Sequence, residues 1–320
     1  MEKENKQTWL QRHLFDLVSY GGLVFCLVIF SFLSGGKLWS SYNVGVLVQS
    51  TCVYVILAMG AVFIYSMGYM DISVGAQIGV YCILIILVTN KTHSLLAGFA
   101  VILGVSLICS LINGAVSVFL GLPSIVTSIF LSFIFSGIQA LYMEKTGTNS
   151  ISMDRDMSFF KQTPVMLCAI IIVAVVSVLL YNYTRLGKYV KGIGANERAV
   201  VQMGANTTKW KALAYCFFGV CVAVGALFLT ARTGSAGKGT GSGYAMDIMV
   251  ALILGGMPLS GGMKSKISSS LVGSFTYIIL SNGLTLSGVK TTHVYVIKAL
   301  VFLVVILITS RKREAGIIPR

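Results

Sequence analysis

The sequence predicts an all-α integral membrane protein with about ten transmembrane helices, and three observations carry that expectation. Hydrophobic residues make up 56% of the 320 residues and charged residues only 11%, with a mean hydropathy of +0.87. The apolar residues come in repeated continuous runs of about 20, the length that crosses a bilayer as a helix. The runs do not alternate, which excludes a closed β-barrel, the other structure that pairs its backbone groups inside lipid. The net charge of +14 would suit nucleic acid, but the basic residues flank apolar runs and form no separate basic domain. They act as topology determinants, and no nucleic-acid partner is expected.

The spans run over roughly 15–34, 43–67, 71–89, 94–120, 123–143, 164–182, 211–230, 247–259, 267–287 and 293–309, within one transmembrane domain covering 1–320. The first is expected to be a retained helix rather than a cleaved leader, because no small-residue cleavage site follows it and further spans do. The eighth is short and ends at Gly255-Gly256 and Pro258, the pattern of a broken helix beside a pathway. The 34 glycines and 13 methionines suit close helix packing and movable interfaces. Seven cysteines lie in apolar runs with no C-x-x-C pair and are expected to be inert buried thiols.

Ten spans place both termini on one side. Fifteen Lys and Arg fall on that side and eight on the other, with Lys298 inside the last span, so the termini are expected in the cytoplasm. The basic stretch 183–211 is then the largest internal loop.

Two glycine-flanked acidic segments break the apolar pattern. One is Gly68-Tyr69-Met70-Asp71-Ile72-Ser73-Val74-Gly75; the other is Gly243-Tyr244-Ala245-Met246-Asp247-Ile248, followed by Leu254-Gly255-Gly256. Ionisable residues near a bilayer core are costly, so each acid needs a reason. Each segment has an echo further on, Asn113-Gly114 for Asp71 and Asn282-Gly283 for Asp247. The echoes predict an inverted repeat over 43–143 and 211–309, with Asp71 toward the cytoplasm and Asp247 toward the outside. Asp71, Ser73, Asn113, Asp247, Gly255, Gly256 and Asn282 are the gate or pathway candidates. Both acids also fit plain helix N-caps, where a carboxylate accepts from free backbone N–H groups. The broken eighth span is expected to face a second permease or the path, or else to be a tight turn. Lys298 reads as a snorkelling residue or a pathway residue.

In the internal loop, Asn196 can cap a short helix that presents Ala199, Val200 and Met203, with Gly204 as its stop. This amphipathic piece is either a surface connector or a docking helix for a cytoplasmic partner. Catalytic readings fail. Gly237-Lys238 lacks the first phosphate-loop glycine and the following Ser/Thr, and the three histidines form no spaced pair for a metal. Ser260 and His293, a conceivable intramembrane nucleophile and base, fall on opposite sides of the topology.

Several blocks, taken in order, resemble the permease subunits of bacterial ATP-binding-cassette importers of the ribose/xylose/autoinducer-2 class. They are Gly68 to Gly75, Leu122-Pro123-Ser124-Ile125-Val126-Thr127, Thr184-Arg185-Leu186-Gly187-Lys188-Tyr189, Gly194 to Gly204, Gly243 to Gly262, and Asn282-Gly283-Leu284. The resemblance implies a type II importer architecture of ten helices in the bacterial inner membrane, with permeases working as a pair of like or unlike chains. It further implies two cytoplasmic ATPases that use ATP-Mg, and an extracytoplasmic solute-binding protein; no cofactor is expected on this chain and no enzyme activity. Asn196, Glu197, Arg198, Ala199, Met203 and Gly204 then match the region that contacts the ATPase. Ser128-Ile129, Pro258 and the Lys264–Ser270 stretch depart from the family pattern and leave the solute and the pairing open. The expected function is import of a sugar or sugar-like solute by alternating access. A nucleoside or branched-chain amino-acid permease, or an ion-coupled secondary transporter, stands as the alternative.

Overall fold

Every span read from the sequence falls on a helix of the computed structural model, which describes residues 19–119 and 122–310. Both chain termini, placed in the cytoplasm by charge, and the start of the first span lie outside the described residues. In chain order the helices are α1 (Ser19–Leu33), α2 (Ser41–Ser66), α3 (Val74–Thr92), α4 (Leu95–Phe119) and α5 (Ser124–Thr146), then the short turn α6 (Ser158–Lys161). They continue with α7 (Thr163–Val178), α8 (Arg185–Gln202), α9 (Thr207–Thr233), α10 (Tyr244–Leu254), α11 (Ser268–Leu286) and α12 (Thr291–Ser310). Six of them are long and apolar enough to cross a membrane on length and composition alone.

The core is built around α2. Every residue from Ser50 to Ser66 is buried except Tyr54, so this helix is apolar all round and takes neighbours on every side. It lies against α9, α7, α11 and α10; α4 covers α9 and α3, α5 covers α3, and α12 leans on α10 and α11. The outer faces of α5, α7 and α12 carry exposed Phe130, Phe133, Ile171, Ile172, Leu300 and Leu303. Apolar faces of that extent are stable against lipid and not against water. The chain is a multi-pass membrane protein.

Several boundaries differ from the sequence expectation for physical reasons. The helix expected from residue 71 begins at Val74, because Asp71 and Ser73 close a side-chain-to-backbone turn just before it. The helix expected over 247–259 runs Tyr244–Leu254, which puts Asp247 inside its first turn and leaves 255–267 as an irregular return. The loop expected over 183–211 is mostly helix, since α8 fills it and Asn206 caps α9 by accepting from the Lys209 backbone N–H at 3.0 Å. Cys168 is exposed on α7 and Cys26, Cys109 and Cys216 are half-buried, so only Cys52, Cys82 and Cys221 fit the expected buried thiols. The Gly234–Gly239 stretch supplies β2 (Ser235–Gly237), which pairs antiparallel with β1 (Ser150–Ser152) and joins the two halves of the chain.

Candidate functional site: two acidic segments and the helix that grips them

The Asp71 segment is closed. Asp71 is 3% exposed. Its Oδ1 accepts from the Ser73 backbone N–H at 2.7 Å and the Ser73 hydroxyl at 2.5 Å, and its Oδ2 accepts from Asn113 Nδ2 at 2.7 Å. Ser73 in turn accepts from Gln77 Nε2 at 2.6 Å. The 42-residue interval between Asp71 and Asn113 is therefore a direct hydrogen bond. The carboxylate braces the start of α3 and ties it to α4.

The Asp247 segment is open. Gly243 occupies the N-cap position of α10, so Asp247 does not cap that helix, against the shared-cap reading. Asp247 is half-exposed, and its Oδ2 accepts from the Tyr54 hydroxyl at 2.8 Å. Asn282, expected to echo Asn113, lies elsewhere: its Nδ2 donates to Asn43 Oδ1 at 3.1 Å, in the first turn of α2. The two acidic segments are not held apart. A Cβ on Gly241 would lie 2.0 Å from the Gly75 carbonyl oxygen, so glycine on both strands of this contact lets the backbones touch.

The break after α10 is internal to the chain. Gly255 is buried and a Cβ there would lie 1.9 Å from the Ser269 carbonyl oxygen, while Gly256 turns the chain at a φ of 85°. Gly255 lets α10 approach its own neighbour α11, so its close contact is made within the chain. The return then reaches the end of α2, where the Gly262 N–H donates to the Ser66 carbonyl at 2.8 Å.

Helix α8 meets the end of α2 before the Asp71 segment and the return that follows α10. A Cβ on Gly194 would lie 1.9 Å from the Ser66 carbonyl oxygen and 2.7 Å from the Gly262 nitrogen. Backbone at Asn196 leaves the helical region, and its side chain accepts from the Ala199 N–H at 3.2 Å, starting a second short helical stretch. Gly204 ends that stretch with a φ of 77°, the left-handed stop expected of it. Glu197 pairs with Lys211 at 2.6 Å, and the Lys211 ammonium sits 5.1 Å from the centre of the Tyr69 ring, two residues before Asp71. The apolar face expected from Ala199, Val200 and Met203 splits. Val200 is buried against the body and Ala199 is half-buried, whereas Val201 and Met203 are 53% and 73% exposed, flanked by exposed Arg198. Lys191 lies over the Tyr181 ring at 4.2 Å, and burial lowers its pKa from the ordinary lysine value.

The end of α2, the return after α10 and α8 meet at Ser66, Gly262 and Gly194, and comparison with known proteins places this arrangement in a family. The family model described as branched-chain amino acid transport system / permease component matches residues 43–308. The chain belongs to this permease family. Among its relatives, the ribose import permease of Escherichia coli (strain K12) is 25% identical over 93% of this chain and 95% of that protein. The ribose import permease of Bacillus subtilis (strain 168) is 28% identical over 98% of this chain and 99% of its own length. The galactose/methyl galactoside import permease of Escherichia coli (strain K12) is 28% identical over 85% and 88%. No solved structure matches the permease at a comparable level.

Several residues that organise the permease site are absent from the sequence candidates. Tyr54 and Tyr277 are phenols inside apolar runs, a signal that an intramembrane polar partner is needed; Lys298, read from the sequence as a snorkelling or pathway residue, finds its partner here. Lys298 does not snorkel to the helix end: its Nζ donates to the Tyr277 hydroxyl at 2.7 Å, deep in α12. Lys211 counts in the sequence only as a topology charge, yet it is buried and joins Glu197 to Tyr69. Ser66 carries no sequence signal beyond its small size, and Gly194 only its place at the head of the Gly194 to Gly204 block.

Proposed function

We propose that this permease imports a sugar or sugar-like solute across the bacterial cytoplasmic membrane, with both termini inside. It pairs with a second permease of the same or a related sequence. A separate cytoplasmic ATPase supplies ATP-Mg chemistry, and an extracytoplasmic solute-binding protein delivers the solute. The family description names amino acids, but the relatives that span almost the whole chain are named for ribose and galactose, which favours a sugar.

The observation that carries the coupling is the double attachment of α8. Its kinked end exposes Val201 and Met203, an apolar pair beside Arg198 suited to a groove on an ATPase. Its base touches Ser66 and Gly262 through Gly194, and Lys211 and Tyr69 through Glu197. Movement imposed on the exposed end therefore reaches Tyr69 in the Asp71 segment and the return that follows α10. ATP drives import only if it binds one arrangement of the assembly better than the other, and α8 is the element placed to report that preference to the path. The two candidate repeats, 43–143 and 211–309, would then rearrange about their contact at Gly75 and Gly241.

The test is a crosslink. Met203→Cys in a cysteine-free background should crosslink to the co-purifying ATPase in native membranes, and Ser242→Cys, on the far side of the same topology, should not. An intact complex with no Met203 crosslink rejects the docking assignment. Absence of any co-purifying ATPase rejects the importer in favour of an ion-coupled carrier.

A further inference from the structure

Four residues far apart in sequence converge on one polar cluster. The Lys298 ammonium donates to the Tyr277 hydroxyl at 2.7 Å, Tyr54 donates to Asp247 Oδ2 at 2.8 Å, and the Tyr54 and Tyr277 rings, 5.5 Å apart, bring the two pairs together. The members come from α12, α11, α10 and α2. Tyr54, Tyr277 and Lys298 stand near the midpoints of their helices, which puts the cluster at mid-depth in the bundle. Aromatic faces surround it. Tyr54 stacks on Tyr244 at 4.8 Å and 14°, and Lys298 lies 5.5 Å from the centre of the Tyr295 ring, a residue 62% exposed.

Tyr277 is buried, but Tyr54, Asp247 and Lys298 are half-exposed. A carboxylate and an ammonium at mid-depth do not rest against hydrocarbon; they face water or protein. We infer that the cluster of Lys298, Tyr277, Asp247 and Tyr54 lines the aqueous solute path and is the mid-membrane subsite for an uncharged polyhydroxy solute. This rests on the importer reading above and names the residues that would meet its solute. The chemistry fits that class. Asp247 keeps acceptor capacity on its second oxygen, and Lys298 keeps N–H donors not used on Tyr277. Sugar hydroxyls both donate and accept, and the Tyr54–Tyr244 stack and Tyr295 offer flat faces to the apolar C–H side of a sugar ring. The acid and the ammonium compensate each other, so the section of path they line presents no net charge to a neutral solute.

Compensation gives the test. Tyr295→Cys and, separately, Met246→Cys are placed in a cysteine-free permease within its assembled complex in membrane vesicles, with and without ATP. Each is reacted with a cationic and an anionic water-soluble methanethiosulfonate, and each rate is divided by that reagent's rate with a free thiol in solution. Both cysteines should react, with a cation-to-anion ratio near unity. Asp247→Asn should shift the ratio toward the anionic reagent and Lys298→Met toward the cationic one, by about tenfold, since a unit charge roughly 6 Å away in water changes each reagent's rate about threefold in opposite directions. The double variant should return it toward unity. If Asp247→Asn fails to accumulate, Lys298→Met alone decides. No reaction at either cysteine in both nucleotide states, or a ratio indifferent to the charge changes, overturns the subsite. A ratio far from unity with the native pair present overturns the neutral-solute assignment. ATPase co-purification from the same vesicles reports separately on the importer reading.

Discussion

Asp71 and Asp247 sit in look-alike sequence segments and do opposite things. Asp71 is sealed among uncharged donors, Ser73 and Asn113, and serves the start of a helix. Asp247 lies in the first turn of its helix, half-exposed, and reaches across to Tyr54 on another. A glycine-flanked acid between spans therefore does not define a role. The role follows from the neighbours that the fold brings in: an amide and a hydroxyl close the first site, while phenols and an ammonium leave the second partly open.

The largest expected effect comes from removing the closed acid. Asp71→Ala leaves the Ser73 N–H and the Asn113 amide without their acceptor in a buried site, at a cost of about 3 kcal/mol or more. The expected outcome is a lower membrane level and a lower unfolding midpoint in detergent. Asp247→Ala exposes its phenol partner to a site that water already reaches, and should cost about 1 kcal/mol in the same measurement while reducing uptake. If Asp71→Ala keeps its level and midpoint and loses only uptake, both acids are pathway groups and the contrast disappears.

The echoes offer a narrower version of the same contrast. Asn113→Ala strips one charge-assisted donor from Asp71 and should destabilise by about 2 kcal/mol. Asn282→Ala breaks a neutral bond to Asn43 and should cost about 1 kcal/mol or less. Equal losses in the two unfolding midpoints would mean that Asn282 has an acid partner in another arrangement of the bundle, as a strict repeat would require.

Much of this was legible in the sequence, and the remainder has a common cause. Continuous apolar runs placed the helices, because a helix in lipid satisfies its backbone locally. Asn196 and Gly204 were readable as cap and stop because such chemistry is confined to a few neighbouring residues. The Asp71–Asn113 pair was visible only as a spacing, since nothing local says that α3 and α4 turn those faces together. The partners of Asp247 were not visible at all. Tyr54 is 193 residues away along the chain, and which face of α2 meets α10 is decided by packing among uniformly apolar helices. The same limit applies to Gly255. Its place at a break was readable, but whether the close approach there lay within the chain or between chains was not.

The smallest effect separates the ways in which α8 holds the Asp71 segment and the return after α10. It meets the return after α10 through backbone, at Gly194 and Gly262, and the Asp71 side both through backbone at Ser66 and through side chains at Glu197, Lys211 and Tyr69. A side-chain link can be cut without disturbing the fold. Glu197 is half-exposed, so the pair is partly screened and worth about 0.5–1 kcal/mol. Glu197→Gln should therefore lower uptake only two- to fivefold, taking about 1.4 kcal/mol as tenfold, at an unchanged membrane level. If the link transmits movement as a charge pair, exchanging the charges as Glu197→Lys with Lys211→Glu should recover part of the loss, whereas Lys211→Glu alone should be worse than Glu197→Gln, because it sets two acids against each other beside Tyr69. Recovery in the exchange with ATPase binding unchanged throughout would assign the pair to transmission. An exchange no better than the single variants would leave Lys211 as a brace for Tyr69, and the Asp71 segment would then follow α8 only through the end of α2.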